Sequence, residues 1–94
     1  MAEFKLGRVV KTIGVHARTM ESEEFAAFVL KSLYRYAAGD WGDTCKEDAQ
    51  SNDTALKDER RILAVYRFPK TGEEIWIITE WDRSVTTVLF PEEY

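Results

Sequence analysis

The densest gathering of chemically capable side chains in this sequence is Glu80-Trp81-Asp82-Arg83-Ser84. One turn there carries an acid, an indole, a second acid, a guanidinium and a hydroxyl. Loops held by a rigid sheet commonly bear such groups. Singly, each has a plain structural reading. Asp82 and Ser84 are ordinary turn residues, and Arg83 can pair with Glu80 or Asp82 for little gain in stability. Together with Trp41 and Trp76 they suggest a contact surface rather than a reaction centre. A second stretch, Asp40, Asp43, Glu47, Asp48 and Asp53, is rich in carboxylates. Such a group could hold Mg²⁺ or Ca²⁺, but the calcium-loop pattern is absent, and a solvated helix face with a capping role explains it better. His16 is the only histidine and Cys45 the only cysteine. They lack metal-type spacing. Cys45 falls where a helix begins and the dipole favours thiolate chemistry, yet no His or Asp partner can be assigned to it. There is no Gly-rich phosphate loop, no serine elbow and no basic aromatic stripe. No catalytic residue, metal ligand or cofactor is therefore assigned.

These residues need elements to position them. Phe4 to Val15 reads as a strand with an irregular middle at Gly7, ended by Gly14. From Ser22 to Ala38, Phe25, Phe28, Val29, Leu33 and Tyr36 recur at helical steps, with Ser22 as N-cap and Gly39 just past the end. Glu23 and Glu24 at its start and Arg35 near its end suit the helix dipole. Gly39-Asp40-Trp41-Gly42-Asp43 is a tight connector whose Trp is either a plug on the domain or an exposed anchor. Thr44-Cys45-Lys46-Glu47 matches a capping box, with Thr44 as N-cap of a polar helix to about Lys57. Arg61–Phe68, Glu74–Trp81 and Val85–Phe90 alternate as strands joined by short turns. The expected fold is a single two-layer α+β domain over residues 1–94, ordered β-α-α-β-β-β, with a C-terminal antiparallel three-strand meander.

The strand segments carry bulky apolar groups on both faces, so one helix and a thin second helix leave Leu63, Val65, Trp76 and Ile78 uncovered. Such a face is an association surface. The chain has 13 Lys and Arg against 17 Asp and Glu, a formal charge of −4. That balance disfavours direct nucleic-acid binding and suits a protein partner with a basic surface. The interaction surface read from the sequence is Asp40, Trp41, Asp43, Trp76, Glu80, Trp81, Asp82 and Arg83. A homodimer through the sheet is the other way to cover it. A lone thiol and a polar start, with Glu3 and Lys5, point to the cytoplasm and away from a secretory signal. No apolar run approaches the ~20 residues of a membrane span.

Several pieces of the chain are similar to a group of small bacterial proteins of plasmids, phages and integrated elements. These are labelled plasmid-related or hypothetical, and sometimes mislabelled as a restriction-modification subunit. The matching pieces are Leu6-Gly7-Arg8-Val9-Val10 with Thr12 and Gly14; Gly39 to Asp43; Glu47-Asp48 with Asn52, Ala55 and Leu56; Arg61 to Tyr66; and Ile75 through Glu80, Asp82-Arg83-Ser84 and Thr86-Thr87 to Leu89–Tyr94. The resemblance implies a mobile-element setting and an accessory or anti-defence role, such as inhibition of a CRISPR or restriction effector. The expected function is a non-enzymatic protein-binding module of that kind. Two alternatives remain. One is a small RNA-cleaving toxin, suggested by element order alone, with Arg60, Arg61, Arg67 and Arg83, Glu80 and Tyr66 as its only candidates. The other is a nucleotide or small-molecule sensor that stacks its ligand on Trp76 and Trp81.

Overall fold

A computed structural model describes residues 4–94. The sequence-based remark on Glu3 lies outside them. The elements are β1 (Arg8–Lys11), α1 (Ile13–Glu21), α2 (Glu23–Ala37), α3 (Lys46–Asp58), β2 (Ile62–Arg67), β3 (Glu74–Thr79), β4 (Val85–Leu89) and a closing 3₁₀ turn, Pro91–Glu93. The chain is α+β, but its order is β-α-α-α-β-β-β. The long first strand expected over Phe4–Val15 is only four residues. Thr12 ends it by capping α1, its hydroxyl accepting from the Val15 N–H. Gly14 therefore lies inside a helix rather than ending a strand. The β-branched run Val9-Val10-Thr12-Ile13 mimics a strand locally. Burial of Val15 in the core selects the helix.

The helix expected at Ser22 forms as read. Ser22 caps the Phe25 N–H, Glu23 and Glu24 occupy the first turn, and Gly39 adopts a positive φ just past the C-cap. The expected capping box at Thr44 does not form. Cys45 is the N-cap of α3 and makes no side-chain cap bond. The Thr44 hydroxyl is used elsewhere, donating to the Trp41 carbonyl and accepting from the Val65 N–H.

The sheet has four strands in the order β1-β4-β3-β2. β2, β3 and β4 pair antiparallel in sequence, as the alternation predicts. β1 joins β4 in parallel, Val9 opposite Thr86 and Val10 opposite Thr87, so the sheet is mixed. One face holds Ile62, Ala64, Tyr66, Ile75, Ile77 and Val88. These form one cluster with Val15 of α1, Phe25, Val29 and Tyr36 of α2, and Ala55 of α3. All three helices thus deliver their buried residues to the same side.

Across that core runs a chain of hydroxyls. The Tyr36 and Thr79 hydroxyls lie 2.7 Å apart, those of Thr79 and Thr86 likewise, and Thr86 Oγ1 donates to the Leu6 carbonyl at 2.7 Å. The buried polar side chains of the described residues all have hydrogen-bond partners, as a low-dielectric interior requires.

Candidate functional site

The residues read as an interaction surface fall into two groups. The first, Asp40, Trp41 and Asp43, sits in the connector between α2 and α3 and is largely spent on the fold. Trp41 is 7% exposed. Its ring meets Tyr36 edge-on and tilts against Phe4, and its Nε1–H donates to Asp53 Oδ1 at 2.8 Å. It is the plug of the two readings its position allowed, so its indole is withdrawn from any docking surface. Asp40 accepts two hydrogen bonds from Arg35 and one from the Gly42 N–H. The guanidinium holds the Asp40 carboxyl below its ordinary range. Gly42 has positive φ, and a β-carbon there would strike the Tyr66 ring.

Asp43 belongs to a larger device. β2 is an edge strand, and Leu63, Val65 and Arg67 turn their backbone groups away from β3. Asn52 of α3 donates to the Leu63 carbonyl at 2.8 Å and accepts from its N–H at 3.3 Å. The Val65 N–H donates to Thr44, and its carbonyl accepts from the Asp43 N–H at 2.8 Å. The Arg67 N–H donates to Asp43 Oδ2 at 2.7 Å. The edge is closed residue by residue by the connector and α3. The sequence pattern does not reveal these roles of Asn52 and Thr44. The apolar surroundings of Asn52, with Ala49, Ala55 and Leu56, were the available signal.

The second group lies on and beside the face of the sheet opposite the helices. Trp76 is half-buried, and its ring packs against Tyr94 at 5.3 Å. Arg61 spans this side, its guanidinium 5.2 Å from the Tyr94 ring centre and one nitrogen donating to the Tyr94 hydroxyl. It also lies 4.0 Å from Glu80. Ile78 and Leu89 are buried on this face although they belong to no helix-covered cluster. Each is flanked across the ladder, Ile78 by Leu63 and Thr87, Leu89 by Trp76. The expectation that Ile78 is uncovered is thereby corrected: it is buried between its ladder neighbours on this face. Leu63, Val65 and Trp76 remain half-buried.

In the β3–β4 turn, Trp81 and Asp82 are exposed. Asp82 accepts from both the N–H and the hydroxyl of Ser84, bonds that hold its carboxyl low. Arg83 does not pair with an acid. Its guanidinium donates to the carbonyls of Ala55, Arg60, Glu80 and Trp81, at 2.9, 2.7, 3.2 and 3.4 Å. It ties the C-terminal end of α3 to the turn, and its own φ of 61° is left-handed. Gly7 passes so close to the Arg83 and Ser84 carbonyls, at positive φ, that no side chain fits there. This close approach accounts for the glycine that the sequence pattern presented as an irregularity.

The groups that acid-base chemistry on RNA would need are engaged separately. Tyr66 is buried and donates to the Asp40 carbonyl at 2.6 Å, and burial drives its phenol well above its ordinary range. Arg67 pairs with Glu74 and Arg60 with Asp58. His16 is exposed on α1, and Cys45 is exposed at the start of α3. Among the described residues no three of His, Cys, Asp and Glu converge as a metal site, and no helix is long and apolar enough to cross a membrane. Compared with protein-family models, curated proteins and solved structures, the chain finds no match.

Proposed function

We propose that the chain is a non-enzymatic protein-binding module that docks through the helix-free face of its sheet, with the β3–β4 turn as a rim. The observation that carries this reading is one-sidedness. All three helices pack on one face, which leaves Leu63, Val65 and Trp76 half-buried on the other, while Trp81 in the β3–β4 turn is 64% exposed. Large aromatics, Trp above all, are enriched among the residues that carry protein interfaces. The net charge of −4 and the exposed Asp82 and Glu92 favour a partner with a basic surface. The resemblance to small proteins of mobile elements adds the setting: a cytoplasmic inhibitor of a host CRISPR or restriction effector.

The test begins with a photo-crosslinking residue at position 81 of the full chain in cells. One protein with a basic face should be joined to it, and the purified pair should bind at least tenfold more weakly after Trp81→Ala or Val65→Glu. Plasmid transformation into a host carrying the effector should rise with the wild-type chain and not with Val65→Glu. Crosslinks between copies of the chain alone would give the face to a homodimer and end this reading, as would no crosslink at all.

A further inference from the structure

The opposite edge of the sheet is built differently from the β2 edge. β1 pairs with β4 in parallel, the Arg8 N–H donating to Ser84 and the Thr12 N–H to Val88, both at 3.0 Å. Pairing in such a ladder alternates, so Val9 and Lys11 turn their N–H and C=O groups away from the sheet. Among the described residues no side chain bonds to those groups, and all four residues of β1 are exposed. Beside this open edge lies a groove of about 520 Å³ between β1 and helices α1 and α2. Val9, Lys11, Met20, Leu30, Leu33 and Val88 are among the residues that line it. Val9 is 45% exposed and Leu30 54%.

We propose that β1 is a docking strand: an extended, acidic segment of a partner protein adds to it as a fifth strand and sets alternate apolar side chains in the groove. The site is distinct from the helix-free face. Three features define the occupant. Outward N–H and C=O groups in register demand an extended backbone. The groove beneath them demands apolar side chains at every second position. Arg8 and Lys11, which flank the outward-facing positions and have no acidic partner among the described residues, favour carboxylates. The same charges disfavour a second copy of the chain. A two-fold antiparallel pair of β1 strands overlaps most fully in two hydrogen-bonding registers. With Val9 opposite Val9, the two Arg8 side chains become diagonal neighbours; with Val10 opposite Val10, the two Lys11 side chains do. Like charges at such sites repel.

The probe is a displayed library of random twelve-residue peptides selected on the full chain, with the best binder then synthesised. Enriched sequences should alternate apolar residues and carry Asp or Glu. On saturation the Val9 and Lys11 amides should exchange at least tenfold more slowly, with little change at Val10, which already faces β4. Val9→Pro removes an outward N–H together with a valine side chain that lines the groove and should weaken binding at least tenfold, as should Leu30→Glu. The double variant Arg8→Glu/Lys11→Glu should turn the preference to basic peptides. No enrichment, enrichment of basic peptides on the wild type, or unchanged Val9 and Lys11 exchange would overturn the proposal. So would a wild-type dimer that Val9→Pro makes monomeric. Trp81→Ala should leave peptide binding intact, which separates this site from the helix-free face.

Discussion

The two edges of one sheet are finished in opposite ways. At β2, every outward backbone group described above is met by the chain itself, through Asn52, Thr44 and Asp43. At β1, the outward backbone groups of Val9 and Lys11 have no partner among the described residues, and an apolar groove opens alongside. An unprotected edge invites pairing with another chain. A protein that closes one edge with three side chains and a connector, yet leaves the other bare, concentrates its capacity for strand pairing at one place. The β2 edge belongs to stability and the β1 edge to association.

The comparison can be broken first at its stable end. Trp41→Ala should cost about 3–5 kcal/mol in urea unfolding, the range for truncating a buried aromatic, because Trp41 holds the connector against Tyr36 and Asp53. A loss near zero would mean that the connector is not what closes β2. Asn52→Leu should cost about 1–3 kcal/mol for each Leu63 backbone group left unpaired, and should raise the chain's tendency to aggregate through β2. Light scattering would show that tendency, and Leu30→Glu, on the β1 side, should not share it.

Acid provides a finer probe. The Asp40 carboxyl is lowered by Arg35 in the folded chain, so its contribution is fully present above the unfolded carboxylate range of about pH 4. That contribution is lost as pH falls through the lower folded value. Both partners are substantially exposed, which confines the effect to about 0–1 kcal/mol. Asp40→Asn should flatten that part of the stability profile measured between neutral pH and about pH 3. The smallest effect belongs to the open edge: Val9→Pro should change unfolding stability by no more than about 0.5 kcal/mol. A larger loss would mean that the Val9 N–H is bonded in the isolated chain, and the contrast between the edges would fail.

Much of this architecture can be read from local pattern. Ser22, Glu23, Glu24 and the stripe through Phe25, Val29 and Tyr36 specify α2 within their own segment. The alternation in β2 and β3 likewise needs no distant information. What is not local is not legible. Thr44-x-x-Glu47 has the form of a capping box, but the Thr44 hydroxyl is claimed by Val65, 21 residues away. Gly14 and its β-branched neighbours read as a strand end until the core takes up Val15. Of the candidate surface, Trp81 and Asp82 stand exposed where a turn would put them. Trp41 and Arg83 have structural duties set by Asp53 and by the end of α3, which no spacing rule contains.

The hydroxyl relay from Tyr36 through Thr79 and Thr86 to Leu6 makes the domain sensitive to alkali. Its first member is a phenol that burial holds neutral well above the ordinary tyrosine range. The fold benefits from that neutrality below about pH 10, the unfolded tyrosine value, and forfeits it as pH climbs toward the folded one. Ionisation would put an anion among Ile62, Thr79 and Thr86, where no cation donates a hydrogen bond to it. The relay joins residues as far as 80 positions apart in sequence, so basic solution should dissolve helix, sheet and N-terminal segment in a single step.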